Sequence, residues 1–363
     1  MCSRGVPGSP AVAEMTPESA YRVETANLAV EATAVIEVWS EALGHAERRP
    51  AKLTWFYAAR AAGVAELFVL RHEGRVVGVT GIGQRRLMWR ERTLDAAQMG
   101  DFAVDSRHRT LYPALLLQRA ALEQGLARHV LLYGFPNAKS LPVVRRVGYR
   151  VLPGMARHAR VLRSEAYLPG SWPRVLRHWS GLALDAVLGL RHATPLLGRQ
   201  RVAWLDAPDE RFDELWRRSH GQFDDCVLGV RDQAFLHWRF TLQRWRNTRF
   251  FVWLDDSGSR LLGYAACEAE GDVIHVHDFL VEQASARQVA RMLRLLAAQA
   301  RANGMRSLSL QCSGPRWLLA GVHAGGLRRR EVSNQPMILA VAPGAPAGLD
   351  DACWYLTRAD VDE

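Results

Sequence analysis

The chain repeats itself. Asp101-Phe102-Ala103-Val104 ends one apolar strand pattern and Asp278-Phe279-Leu280-Val281 ends another. Each is followed by an amphipathic helix, a short apolar strand, a loop, a second helix and a glycine-hydrophobe step. That step is Gly148-Tyr149 in the first half and Gly326-Leu327 in the second, 47 and 48 residues beyond the respective aspartate. Order and spacing that agree at two anchors point to an internal duplication. A duplication constrains the fold because each copy must cover a sheet with helices around a core.

After Asp278, the residues Val289, Met292, Leu293, Leu296 and Ala300 share one helical face. After Asp101, Leu111, Ala114, Leu115, Leu122 and Leu126 do so, with Gln118 as the exception. Strands are predicted ahead of these helices over residues 66–71, 75–83 and 93–104, and again over 249–254, 261–268 and 273–281. His72-Glu73-Gly74 and Asp255-Asp256-Ser257-Gly258 supply hairpin turns within the two sets. The aromatic segments Trp55-Phe56-Tyr57 and Phe235-Leu236-His237-Trp238-Arg239-Phe240 sit at matching places before the first hairpins, where they pack a core or wall an acceptor pocket. Between the units, residues 164–200 read as a proline-broken linker around a helix from about Val175 to Leu190, packed against one or both units. Pro343 to Leu349 reads as a short linker, after which Trp354, Tyr355 and Leu356 fold back onto the body.

Composition removes whole classes. With 363 residues, 48% hydrophobic and 23% charged, the chain is long enough for two cores, and disorder, collagen and coiled coil are excluded. The longest apolar stretch, Gly181 to Leu190, carries Asp185 and is too short to cross a bilayer. The first sixteen residues, read as disordered, lack a signal-peptide pattern. Five cysteines, far apart and never in a CxxC pair, suggest neither a disulfide framework nor a zinc site, so a reducing cytoplasm and no metal are expected. The formal charge is +10, and of 47 basic residues only Lys52 and Lys139 are lysine. No five-residue basic run exists, so a solvated surface is the reading, nucleic acid is not an expected partner, and a basic cleft for a phosphorylated ligand stays open.

Chemistry concentrates between Asp101 and Tyr149. There a strand runs into Arg107-His108-Arg109-Thr110-Leu111-Tyr112-Pro113-Ala114 and a helix, then a strand, Phe135-Pro136-Asn137, a second helix and Gly148-Tyr149. A helix N-terminus presents free N–H groups to anions, and Arg107, His108 and Arg109 add charge suited to a phosphate, or else solvate themselves. No phosphate-loop, HExxH, GxSxG or EF-hand pattern is present.

This segment resembles the acyl-CoA-binding core of the GNAT acyltransferase superfamily. The loop pattern Arg/Gln-x-x-Gly-x-Gly/Ala falls on Arg109, Tyr112 and Ala114. A downstream pattern, Asn-x-x-Ala-x-x-x-Tyr-x-x-x-Gly-Phe, falls on Asn137, Ser140, Val144, Gly148 and Tyr149 at the same spacing. The resemblance implies an α/β (α+β) fold of two tandem GNAT-like domains, each a twisted mixed sheet flanked by helices. The expected divisions are 17–163, a helical linker 164–200, a second domain 201–343 without a recognisable CoA loop, and a tail 344–363. It further implies that an acyl group, acetyl or longer, passes directly from acyl-CoA or acyl carrier protein to an amine of a small molecule or sugar. The pantetheine arm would lie along Phe102 to Val104, with the loop from Arg107 to Ala114 and Asn137 completing the donor site.

Asp101 is the expected base, ahead of Asp95 and His129, and Tyr149 or Tyr133 the hydroxyl for the leaving thiolate. His275 and His277 are candidates for the wall of an acceptor cleft between the halves. Two positions depart from the family pattern: Tyr112 stands where glycine lets backbone approach the pyrophosphate, and Val144 where many members place a tyrosine. These departures leave a non-catalytic scaffold as the alternative. A second alternative is an aminoacyl-tRNA-dependent transferase of the peptidoglycan-bridge type, which also uses two such halves.

Overall fold

The computed structural model describes residues 20–42, 46–58, 63–192, 200–223, 226–330 and 335–362; the first sixteen residues and Cys2 lie outside them. The first half runs β1 (Tyr21–Thr25), α1 (Leu28–Ala42), α2 (Arg49–Lys52) continued by a π-helical turn (Leu53–Ala58), β2 (Ala65–His72), β3 (Arg75–Trp89) and β4 (Arg92–Val104). It continues with α3 (Leu111–Leu126), β5 (Leu131–Gly134), α4 (Leu141–Val147) and β6 (Arg150–Val161). After α5 (Arg174–His192), the second half opens with β7 (Arg201–Leu205), α6 (Glu210–Ser219), β8 (Cys226–Gly229) and α7 (Gln233–Leu236), which is continued by its own π-helical turn (His237–Thr241). There follow β9 (Thr248–Leu254), β10 (Leu261–Glu270), β11 (Val273–Val281), α8 (Ala286–Ala302), β12 (Ser307–Ser313), α9 (Arg316–Ala324), β13 (Arg328–Arg329), β14 (Gln335–Val341) and β15 (Cys353–Thr357).

Set side by side, the two series match element for element apart from β8, the two-residue β13 and β15, including the π-helical turns, so the duplication predicted from two anchors extends through both units. Both glycine steps also serve one purpose: Gly148 (φ 117°) and Gly326 (φ 91°) take the left-handed conformation that closes a helix.

The halves exchange strands. In the first sheet β5 is flanked by β4 and by β14, which comes from the second half, with Leu131 opposite Val341 and Gly134 opposite Ile338. In the second sheet β12 is flanked by β11 and by the C-terminal part of β6, which comes from the first half, with Ser307 opposite Val161 and Cys312 opposite Ala156. Each sheet is therefore completed by its neighbour, and β6 belongs to both because its N-terminal part pairs with β14.

A second join lies at the approximate two-fold axis of the duplication. Trp55 and Trp238, one from each π-helical turn, stack at 4.6 Å with 7° between their planes. Trp55 Nε1 donates to the Trp238 carbonyl (2.8 Å), and Trp238 Nε1 donates to the Trp55 carbonyl (3.1 Å). The aromatic segments are thus core, and one apolar cluster runs from Val35 and Trp39 in α1 through this pair to α8.

Two expectations about helices change. The inner face of α8 is as predicted, but α3 buries Ala114, Leu117, Gln118, Ala121 and Gly125, while Leu111 is exposed. Gln118 belongs to the inner face because it meets a polar partner there, donating to Thr80 Oγ1 at 2.9 Å. The linker helix α5 rests on residues 164–167 and leaves an apolar side in solvent instead of packing against the units. The C-terminal segment folds back as expected, with Trp354, Tyr355 and Leu356 buried in β15 between β8 and β12.

Candidate active site

Asp101 is aimed by a bulge. Along β3 and β4, Val79 pairs with Ala103 and Gly81 with Gly100, so Asp101 and Phe102 face the single residue Thr80. An extra residue in one strand turns its side chains out of register, and Asp101 takes φ 55°, a conformation uncommon for a residue with a side chain. Its buried carboxylate accepts hydrogen bonds from Lys52 Nζ at 2.5 Å and from Tyr57 Oη at 2.7 Å. Lys52 ends α2 and Tyr57 lies in the following π-helical turn. A Cβ on Gly81 would stand 1.9 Å from the Tyr57 oxygen, so only glycine lets that hydroxyl reach the carboxylate.

Asp101 opens onto a cleft of about 370 Å³. The cleft exists because β4 and β5 part company: their pairing ends at Met99 and Gly134, and β4 continues to Val104 paired only with β3. One wall combines Gly100 and Phe102 with Gln118, Asn137, Ser140 and Val144 from α3 and the start of α4. Asn137 Oδ1 accepts from the Lys139 and Ser140 amides, both at 3.0 Å, which fixes the turn leading into α4. The opposite wall brings Trp39, Arg48, Arg49 and Lys52 from the first half together with Trp245 and Arg246 from the second, and Val361 and Asp362 also line the cleft. Asp362 Oδ2 lies 3.8 Å from the Lys52 ammonium and accepts from the Asp101 amide at 3.4 Å.

Of the sequence-predicted donor residues, Phe102 and Asn137 line the cleft, while Val104, Arg107, His108, Arg109, Tyr112 and Ala114 do not. The basic residues instead tie the loop to itself. Arg107 clamps Asp105 through Nε (3.1 Å) and Nη2 (2.7 Å), which holds that carboxyl down at about 2. Arg109 donates twice to the Val104 carbonyl, at 3.1 and 2.9 Å, and His108 Nδ1 meets the Tyr21 hydroxyl at 2.9 Å. Tyr112 does not plug the gap between the strands; its half-exposed ring packs edge-on against Tyr21.

Tyr149 is not placed for acid catalysis. Its ring is buried with Leu117 and Val144, its hydroxyl has no hydrogen-bond partner, and desolvation pushes its pKa up. Tyr133 is likewise buried, against Phe135 and Trp354. Among the described residues that line the cleft none is a tyrosine. Asp95 and His129 pair with each other at 3.2 Å away from the cleft. His275 and His277 do not line it either. His277 bonds Glu268 at 2.8 Å and, with Arg246, keeps that carboxylate at about 2. Of His277, Glu268 and Arg246, only Arg246 lines the cleft.

Sequence reasoning missed Lys52, Tyr57, Gln118, Trp245, Arg246 and Asp362. One signal was present: in a chain whose cations are almost all arginine, one lysine bonds Asp101 and the other, Lys139, sits in the turn leading into α4.

In the second half the corresponding aspartate is sealed. Asp278, also beside a bulge, accepts from Arg231 Nε (3.0 and 3.2 Å), Tyr264 Oη (2.5 Å) and Thr357 Oγ1 (2.6 Å), all buried. There β11 and β12 also diverge, after Val276 and Leu310, but β15 pairs with the far end of β12, and the Tyr355 hydroxyl donates to the Phe279 carbonyl. A strand of the protein itself fills the place that is open in the first half.

No protein-family description matches the chain, and no curated protein matches it by sequence. Solved structures do match by shape. A probable N-acyltransferase from Enterococcus faecalis is 10% identical with a TM-score of 0.60, over 88% of this chain and 72% of that one. A GCN5-related N-acetyltransferase from Kribbella flavida is 14% identical with a TM-score of 0.59, over 88% and 71%. A tandem GNAT protein from the clavulanic acid biosynthesis pathway is 13% identical with a TM-score of 0.53, over 90% of this chain and all of that one.

Proposed function

We propose that this chain, which has the tandem fold of the GCN5-related N-acetyltransferases, moves an acyl group from acyl-CoA or acyl carrier protein to the amine of a small molecule or sugar. The observation that carries the reading is the cleft between the diverging strands β4 and β5, with the Asp101 carboxylate in its wall. Direct transfer needs a donor thioester beside an acceptor amine and a group that takes the amine's proton. The edge of β4 at Gly100 to Phe102, which β5 leaves without a strand partner, lies open to a pantetheine arm. Carbonyl Val104 is already taken by Arg109, so the arm would pair with the strand before that point. Asp101 receives the proton, and Lys52 and Tyr57 hold its carboxylate in place. A thiol titrates near 8.5, so the departing thiolate can take a proton from water in the open cleft, and Val144 in place of a tyrosine is compatible with turnover.

Thiol release from acetyl-CoA and longer acyl-CoAs, measured against a panel of amines, tests the reading. Asp101→Asn is expected to lower kcat by roughly 10²- to 10⁴-fold while leaving calorimetric acyl-CoA affinity unchanged. Failure of every acyl-CoA and acyl carrier protein to bind would overturn it. The second reading, a non-catalytic scaffold, is supported by one observation: no tyrosine lines the cleft among the described residues.

A further inference from the structure

The most unusual surface of the molecule is α5. Of the twelve large hydrophobic residues most exposed among the described residues, seven lie between Tyr167 and Leu184. Monomeric surfaces scatter such residues singly, and a contiguous patch marks a site of interaction. Here they are ordered. At 100° per residue, Val175, Leu176, Trp179 and Leu182 fall within about a third of the circumference of α5, and their exposures run from 42% to 69%.

The helix is anchored by its other side. His178 bonds Glu165 at 3.1 Å, and Gly181 sits so close to residue 165 that a Cβ would meet its backbone at 2.9 Å. A gap of about 440 Å³ separates Gly181 and Leu182 from Ala298 and Ala302 of α8, so the body offers the apolar stripe no cover.

Charge says what covers it. Residues 163–192 hold four arginines, Arg163, Arg174, Arg177 and Arg191, against two acids, Glu165 and Asp185. Glu165 already answers His178. Arg163 joins Arg301 at the foot of the helix, donating to its carbonyl at 3.0 Å. An apolar stripe with exposed tryptophan, with Arg174 and Arg177 on the opposite face of the helix and carried on a protein of net charge +10, has the amphipathic pattern of a helix that lies on an anionic lipid surface. No described helix is long and apolar enough to cross a membrane.

We propose that α5 is an interfacial helix that seats the protein on an anionic membrane, its axis in the plane of the lipid head groups and Leu176 and Trp179 in the acyl boundary. This is independent of the acyl-transfer reading.

Co-sedimentation with phosphatidylcholine vesicles, with and without phosphatidylglycerol, tests it on the full chain. Binding is expected only with phosphatidylglycerol and is expected to fall as salt is raised. The exposed double variant L176S/W179S should bind at least about tenfold more weakly. R174Q/R177Q, which removes charge from the far face of α5, should also bind more weakly, by no more than about fivefold per charge. Absence of binding to phosphatidylglycerol vesicles, or binding that L176S/W179S leaves intact, overturns the proposal. So does self-association in sedimentation velocity that the same variant abolishes without any vesicle binding, which would assign the stripe to a second copy of the chain.

Discussion

Asp101 and Asp278 occupy the same point of a duplicated sheet, each beside a bulge and each where a strand parts from its parallel neighbour, yet their surroundings differ in kind. Asp101 is held by one lysine and one tyrosine at the wall of an open cleft. Asp278 lies in a closed ionic network in which Arg231 bridges it to Asp360, and Asp360 also meets Arg85 at 3.3 Å from the first half. The difference comes from the C-terminal segment. It fills the second gap with β15, closes the network with Asp360, and reaches the first gap only at its last turn, with Val361 and Asp362. Duplication supplied two equivalent openings, and one strand decided which of them could hold a ligand.

Breaking the closed network should have the largest effect. Asp360→Ala leaves Arg231 and Arg85, both buried, with less opposing charge, and removal of one partner from a buried ionic cluster costs about 3–5 kcal/mol. Urea unfolding should register that loss, whereas a cost below about 1 kcal/mol would mean that water enters the network and that the two halves are less different than described.

The contrast should next appear in pH dependence. His158 of β6, inserted into the second sheet, is buried beside His323, and desolvation lowers its pKa to about 4. The unfolded imidazole titrates near 6.5, so the unfolded chain binds more protons between those values. The neutral ring therefore contributes full stability above about pH 6.5, and the contribution is lost as pH falls toward 4. At 1.36 kcal/mol per pKa unit this reaches about 3 kcal/mol. In His158→Gln the slope of stability against pH over that window should flatten, as followed by thermal unfolding at stepped pH. An unchanged slope would remove His158 as a source of the second sheet's acid sensitivity.

The smallest effect tests where the halves are alike. Trp55→Phe and Trp238→Phe each delete one of two reciprocal hydrogen bonds and leave a buried carbonyl without its donor, for about 1–3 kcal/mol. The two costs should agree within experimental error. Unequal values in denaturant titrations would show that the two-fold relation at the join is geometric and not energetic.

Much of the architecture was legible because it rests on local periodicity. The hairpins, the inner face of α8, the C-terminal fold-back and the two aspartate anchors all follow from which residues alternate and where glycine breaks the pattern. The α3 face departs from its apolar periodicity because Gln118, though polar, lies on the inner side, where Thr80 satisfies it. The donor loop was recognised by its arginines, but guanidinium groups bond the nearest carboxylate and carbonyl as readily as a distant phosphate, and here Asp105 and Val104 were nearer. Tyr149 carries a hydroxyl at a suggestive position, but nothing in a linear pattern shows that its ring lies in a core.

By itself, then, the sequence determined a duplicated α/β unit with an aspartate-bearing strand in each copy, because side-chain periodicity and turn chemistry act over a few residues and are written locally. Only the tertiary structure decided that β6 and β14 trade sheets, that Lys52 and Tyr57 meet Asp101, and that β15 closes one opening and not the other. Strand pairing is made by backbone groups that every residue carries, so the choice of partner leaves no mark on the sequence. It is settled by which arrangement buries the shared core and pairs the buried charges of both halves at once.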